Sequence, residues 1–131
     1  MNAVSIDVKA MLEAESTLAL EFAKDLFIGM EPVKPDNTVT IFDTPSWPPD
    51  MYLDPTERYY TSSCQIRVRN KDYATGMALA RNIMELLHAR ANEVWNSTTY
   101  IVIKATGEPA WLDLDANNRC RFITNFNLKR R

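Results

Sequence analysis

The sequence predicts an α+β fold, with a mostly antiparallel sheet of about six strands and two helices packed on it. Three observations lead there. Cys64, Ile66 and Val68 alternate with Gln65, Arg67 and Arg69, the period of a strand with one buried face. At residues 70–72 the period changes, and Tyr73, Met77, Ala80, Met84 and Leu87 recur at helical spacing, with Leu79, Ile83 and Leu86 widening the stripe. Beyond residue 98, three further alternating runs are separated by turn-forming residues. The expected order is helix, strand, strand, loop, strand, helix and three strands, as one domain over residues 1–131.

Taken in order, Ser5 is positioned to cap a first helix through Val8, Met11 and Leu12 that ends near Glu15. Leu18, Leu20 and Phe22 fit either period. Residues 25–30 read as a short strand stopped by Glu31 and Pro32. Pro32, Pro35, Asp36 and Asn37 then form a turn, and residues 38–42 return to complete a hairpin. In the strand–helix unit, Asn70 and Asp72 offer short side-chain acceptors for the free N–H groups that open a helix. Residues 93–97 read as a connector. Residues 98–105 form a strand in which Thr99, Ile101 and Ile103 alternate with Tyr100, Val102 and Lys104. Residues 106–109 turn, Ala110, Leu112 and Leu114 alternate with Trp111, Asp113 and Asp115, and residues 115–118 turn again. Cys120, Phe122, Thr124, Phe126 and Leu128 share one face of the last strand.

Residues 43–63 break this regularity. Pro45, Pro48, Pro49 and Pro55 exclude a helix and disfavour a central strand, yet the stretch also carries Trp47, Met51, Tyr52, Leu53, Tyr59 and Tyr60. Disordered segments are poor in aromatics, so two readings stand: a lid folded onto the domain's own core, or an arm that contacts another protein.

With 131 residues, 46% hydrophobic and 24% charged, the composition is that of an ordinary globular protein. No apolar run approaches the ~20 residues needed to span a bilayer, and no basic-then-apolar signal opens the chain, so a cytosolic protein is expected, without membrane contact. Cys64 and Cys120 fall on apolar strand faces and read as reduced thiols. The net charge of −2 is uneven. Through Tyr60, four bases face eleven acids, giving −7; from Thr61 onward, eleven bases face six acids, giving +5. Either the two parts neutralise each other within one protomer, or an acidic surface of one copy meets a basic surface of the next. Neither favours nucleic acid as a gripped ligand.

Chemistry-bearing patterns are sparse. The single histidine, His88, has no carboxylate or thiol at a spacing that would hold a metal, and three unclustered glycines make no phosphate cradle. Asp113 and Asp115 share a strand face as hydrolase acids might, but beside an Asn-Asn turn they read as solvent-facing hairpin residues. The expectation is a non-enzyme with no cofactor and no metal.

Three stretches carry a resemblance: DLFIGMEPVKPDNTVTIFDT, QIRVRNKDYATGMALARNIMELL and PAWLDLDANNRCRFITNFNLKRR. Their order resembles the tail terminator, or tail completion, proteins of long-tailed phages, a family allied to phage minor capsid proteins. The resemblance implies a homohexameric ring that caps the tail tube, stops its polymerisation and joins the tail to a head connector or stopper protein. It also implies a virion protein of the tail or neck, assembled in the host cytoplasm, whose channel passes DNA without specific binding. An acidic or neutral lumen wall would suit that passage. The expected contact residues are Trp47, Met51, Tyr52, Tyr59 and Tyr60 in the arm, Arg67 and Arg69 on the open face of the central strand, and Lys129, Arg130 and Arg131 at the tail. The other readings are a different neck, connector, minor capsid or tail-tube role, a monomeric adaptor, and a hydrolase using Asp113 and Asp115.

Overall fold

A computed structural model describes residues 1–53, 56 and 58–131. The elements are α1 (Val4–Ala14), β1 (Leu26–Ile28), β2 (Thr38–Thr44), β3 (Tyr60–Asn70), α2 (Tyr73–Leu87), β4 (Ala91–Trp95), β5 (Thr98–Ala105), β6 (Ala110–Leu114) and β7 (Cys120–Arg130). They form a seven-stranded sheet in the order β1-β2-β3-β7-β5-β4, with β6 paired to β7 beside the path. The sheet is antiparallel except at β1 and β2. The α+β fold is the one expected from the sequence.

Its spine is the β3–β7 ladder, which pairs Tyr60 with Arg130 at one end and Asn70 with Cys120 at the other. β3 alternates from Cys64 to Val68 and β7 from Phe122 to Arg130, so Cys64, Ile66 and Val68 share one face with Phe122, Phe126 and Leu128. The helices cover that face. Val4, Val8, Met11 and Leu12 of α1, with Ala80, Ile83 and Leu87 of α2, complete the core. In α2 the fully buried line runs through Gly76, Ala80, Ile83 and Leu87, while Met77 and Met84 are half-buried and Tyr73 is exposed. The helix is thus rotated from the stripe read in the sequence. Gly76 is the reason: a Cβ there would lie 2.7 Å from Phe122 Cε2 and 2.9 Å from Asn70 Cβ, so only glycine lets the helix sit this close. Asp72 caps α2 as expected, accepting from Thr75 N at 2.9 Å. Asn70 Oδ1 accepts from Asp72 N at 2.9 Å, closing the turn.

Four expectations need correction. Residues 25–42 are not a hairpin, because Leu26, Phe27 and Ile28 pair in parallel with Val39, Thr40 and Ile41. After Gly29, at φ 72°, the chain leaves the sheet, runs back over its other face and re-enters at Thr38. The prolines there lack N–H donors and cannot build a ladder, so arginine side chains take up the segment's carbonyls. Second, the connector at 93–97 is mostly strand: β4 pairs with β5 through a two-residue turn in which Asn96 and Ser97 both take positive φ. Third, a bulge between Tyr100 and Val102 breaks the alternation of β5, so Tyr100 and Ile103 are both buried and Ile101 is not. Fourth, Ser5 lies inside α1, whose N-cap is Ala3. Ser5 N and Oγ instead donate to Asp43 of β2, at 3.0 and 2.7 Å, so a carboxylate from the sheet closes the helix end.

Candidate interaction surface

The proline- and aromatic-rich stretch is shorter than its composition suggests, since β2 runs to Thr44 and β3 begins at Tyr60. What remains is an arm over residues 45–59, within which Pro55 lies outside the described residues. Its base is tied down. Ser46 Oγ accepts from Ser63 N at 2.8 Å, Asp50 N donates to Tyr59 O at 2.9 Å, and the Asp50 carboxylate is ion-paired with Lys129. Tyr52 meets Tyr59 edge to face at 5.4 Å, and Lys129 and Arg131 each lie 5.8 Å from the Tyr59 ring centre. The hydrogen bond to the Asp50 carboxylate raises the Lys129 ammonium above its ordinary pKa.

Beyond this base, three apolar side chains of the arm are bare. Trp47 is 66% exposed, Met51 97% and Leu53 fully exposed, with none of them in the core cluster. The lid reading therefore fails for these three residues. Tyr52 remains half exposed, while Tyr59 and Tyr60 are half-buried at the base.

The other predicted contact residues divide in two. Arg67 stays on the open sheet face, over the Phe42 ring at 4.8 Å and near Gln65 Oε1 at 3.3 Å. Arg69 does not. It is 2% exposed under the 30–37 segment, donating to Pro35 O at 2.7 Å and Asp36 O at 3.1 Å and pairing with Glu31 at 3.4 Å. Nor do the last residues form a free tail, because Lys129 and Arg130 belong to β7. Arg130 is buried: its guanidinium donates to Asn2 O at 2.8 Å, Ser62 Oγ at 3.1 Å and Tyr100 Oη at 3.3 Å. Arg131 is exposed and donates to Tyr59 Oη at 3.3 Å.

Arg130 borders a polar cluster that sequence reasoning missed. Asp7 is wholly buried in the first turn of α1, accepts from Tyr100 Oη and from Asn96 Nδ2 at 2.7 Å, and lies 3.9 Å from Arg130. Burial, then the hydrogen bond to Asp7, pushes the Tyr100 phenol well above its usual range. The signal was available: Asp7 follows Val4 by three positions and precedes Met11 by four, which places it on the apolar side of the helix.

Glu31 was also unforeseen. It sits between Arg69 and Arg121, 3.4 and 3.3 Å away, and Arg121 in turn holds Asp113 through two bonds of 2.6 and 2.7 Å. Arg119 is buried and bonds Asp115 at 2.7 Å, Val33 O at 2.5 Å and Asp36 at 3.3 Å. Part of the charge asymmetry of the sequence is thus answered inside the protomer. Asp7, Glu15, Glu31, Asp36 and Asp50 from the acidic part pair with Arg130, Arg90, Arg69 and Arg121, Lys71 and Arg119, and Lys129 from the basic part.

Asp113 and Asp115 are not a free acid pair, which also corrects their reading as plain solvent-facing residues. The hydrogen bond from Arg121 holds Asp113 below the usual carboxylate range. Burial works to raise Asp115, but N–H bonds from Arg119 and Asn117 and the Arg119 guanidinium outweigh it and hold that carboxyl low. Two carboxylates fixed in the ionised form supply no general acid. His88 is the C-cap of α2 and its Nδ1 accepts from Ala105 N at 3.0 Å. Among the described residues, no group of three His, Cys, Asp or Glu side chains is arranged to hold a metal ion, and no helix is long and apolar enough to cross a membrane. An open cleft of about 320 Å³ lies between Thr17 and Leu18 on one side and Asn82, Glu85 and Leu86 on the other, with Glu85 its one ionisable group among the described residues.

Exposed apolar side chains thus stand on a stapled arm, with many of the ionisable side chains tied into structural pairs. The chain matches the family of bacteriophage tail terminator proteins over residues 15–130 and belongs to that family. Membership supports a phage tail structural protein, and so a component of the virion, as its class. A comparison with curated proteins found no match. Among solved structures, a chain from the virion of a native gene transfer agent particle shares the fold with a TM-score of 0.68 at 16% identity, covering 98% of this chain and 94% of that one. A second solved chain has a TM-score of 0.57 at 11% identity, covering 98% and 91%.

Proposed function

We propose that this protein is a non-enzymatic capping subunit, acting as one domain, whose copies close into a hexameric ring on the end of a phage tail tube. The ring stops tube polymerisation and presents its other side to a head connector or stopper protein in the neck. Assembly takes place in the host cytoplasm. The observation that carries the reading is the family match over residues 15–130, which spans every element but α1.

The physical features are consistent with such a role. A closed ring needs two different patches on each subunit, repeated head to tail. With so many charges paired within the protomer, the contact between copies is expected to be apolar and therefore little affected by salt. Buried, paired arginines at 69, 119 and 130 are also unable to grip phosphate, in keeping with a channel through which DNA passes without specific binding. Acidic residues are expected to outnumber basic ones on the lumen wall.

The test is to add purified protein to polymerising tail-tube protein and to follow tube length by electron microscopy. Arrested tubes, each with added density at one end, support the reading. Tubes that grow on unaltered, with no bound protein, overturn it. Solution mass at low and at physiological salt then measures the assembly, which should match six copies and change little with salt.

A further inference from the structure

Three strands lie at edges of the sheet, and they are not equally protected. β1 is only three residues long. β4 is kinked by Asn92 at φ 55° and flanked by an Arg90–Glu93 ion pair at 3.6 Å. β6 is different. Among the described residues it pairs only with β7, and Trp111, Leu112 and Leu114 are 52%, 37% and 51% exposed. Its one charge, Asp113, is neutralised by Arg121. The register sets Trp111 opposite Phe122 and Leu114 opposite Cys120, so both lie on the helix side of the sheet, where exposed Tyr73 meets Phe122 edge to face at 5.2 Å. The result is an apolar strip along an open edge, with nothing among the described residues to cover it.

We infer that this β6 strip is the seat for the arm of a second copy, with Trp47 and Met51 as the anchors. The inference rests on the ring reading above and specifies its contact. The first argument is placement. The arm rises where Tyr60 pairs with Arg130, and β6 closes on β7 where Asn70 pairs with Cys120. The ladder from Tyr60 to Val68, which is level with Phe122 and Trp111, covers roughly 26 Å at about 3.3 Å per residue, and Trp47 and Met51 stand exposed instead of seated on the strip of their own protomer. An arm at one pole and a strip at the other make a heterologous contact, the kind that repeats from copy to copy.

The second argument is area. The exposed parts of Trp47, Met51, Tyr52 and Leu53, with those of Tyr73, Trp111, Leu112 and Leu114, come to roughly 1,000 Å², near the threshold for a specific interface. The third is preorganisation. Asp50, Tyr59, Ser46 and Lys129 already fix the base of the arm, which lowers the entropy cost of seating it. Pro45, Pro48 and Pro49 remove backbone donors, so the arm docks through side chains instead of adding a strand.

The deciding experiment uses two variants of the full chain, W47S/M51S and W111S/L114S, with mass read by light scattering. Each alone should fall from the mass of the assembly to that of one protomer, a sixfold drop for a hexamer. Mixed in equal amounts they should form pairs and nothing larger, because only one intact arm and one intact strip remain to meet. Either variant keeping the wild-type mass overturns the inference, as does a mixture that stays at one protomer while the wild type assembles. Should the serine variants unfold, cross-linking decides: with Cys120→Ser, the pair Met51→Cys and Leu114→Cys should give chains of more than two copies with a short bismaleimide. Assembled protein that yields no such chains overturns it as well. A wild type that never assembles, even with tube protein, defeats the ring reading itself and is told apart by that result.

Discussion

Substituting Gly76 by alanine tests a close approach of helix to sheet. On an exposed helix this change would stabilise by about 1 kcal/mol, since alanine is the better helix former. Here the new Cβ would stand 2.7 Å from Phe122 Cε2 and 2.9 Å from Asn70 Cβ. Ordinary carbon contacts lie near 3.5–4.0 Å, so α2 or the ring must move by about 0.8 Å. The ring has little room, being fully buried and meeting Tyr73 edge to face. Overpacking of this kind costs about 1–3 kcal/mol, which outweighs the propensity gain and leaves a net loss of about 1 kcal/mol. A double-mutant cycle with Phe122→Leu, read by urea unfolding, isolates the contact. In the Phe122→Leu background the ring clash is gone while that with Asn70 Cβ stays, so the same alanine should be roughly neutral, giving a coupling of about 1 kcal/mol. A Gly76→Ala protein more stable than wild type, or one with the same change in both backgrounds, would refute the argument.

The charged and thiol groups supply three further predictions. Arg69→Ala removes a buried guanidinium that holds Glu31 and two backbone carbonyls, and should cost about 3 kcal/mol, whereas Arg81→Ala at the exposed Arg81–Glu108 pair should cost under about 0.5 kcal/mol; equal losses in urea unfolding would contradict this. Asp113, Asp115 and Asp36 are held low, Asp36 first by its hydrogen bond from Lys71, so they add stability at every pH above the unfolded carboxylate value of about 4 and lose it as pH falls from there through their depressed folded values. The melting temperature should fall below pH 4, less steeply in Asp113→Asn; a rise on acidification would reverse the sign of the argument. Burial, then the charge of Asp43, pushes the Cys64 thiol up to about 12, so a thiol reagent at pH 8 should modify half-buried Cys120 first, and equal labelling rates would count against the packing around Cys64.

Much of the fold was legible because local period and burial agree. β3 alternates from Cys64 to Val68 and β7 from Phe122 to Arg130, and their apolar sides are the core sides. Asp72 could be read as a cap because the bond it makes is local, three residues along the chain. What escaped notice depends on partners distant in sequence. Pro32, Pro35 and Asp36 look like a turn, and only Arg69 and Arg119, far along the chain, make them a crossover between parallel strands. The β4–β5 hairpin turns on Asn96 and Ser97, without the glycine that usually announces such a turn. In the candidate surface, composition marked Trp47 and Met51 but left lid and arm both open, because exposure depends on where the stretch folds. Arg69 and Arg130 were not readable, because alternation gives the side of the sheet a residue faces but not what crosses over it. β6 was read as a strand, but that its outer edge is left open depends on strand order, which periodicity does not encode.

The pairing of acids before the arm with bases after it has a consequence for how the chain can be cut. A protease that nicks the exposed arm leaves two fragments of opposite net charge, interlocked by the full β2–β3 ladder and by ion pairs from Asp7–Arg130 at one pole to Asp36–Arg119 at the other. Such a nicked molecule should hold its native mass and separate only in denaturant. Expressed apart, the two fragments would carry a built-in attraction that draws each to the other before either has finished folding. The chain can thus be treated as a complementary pair joined by a tether, and severing the arm would disable its contacts while leaving the body of the protein standing.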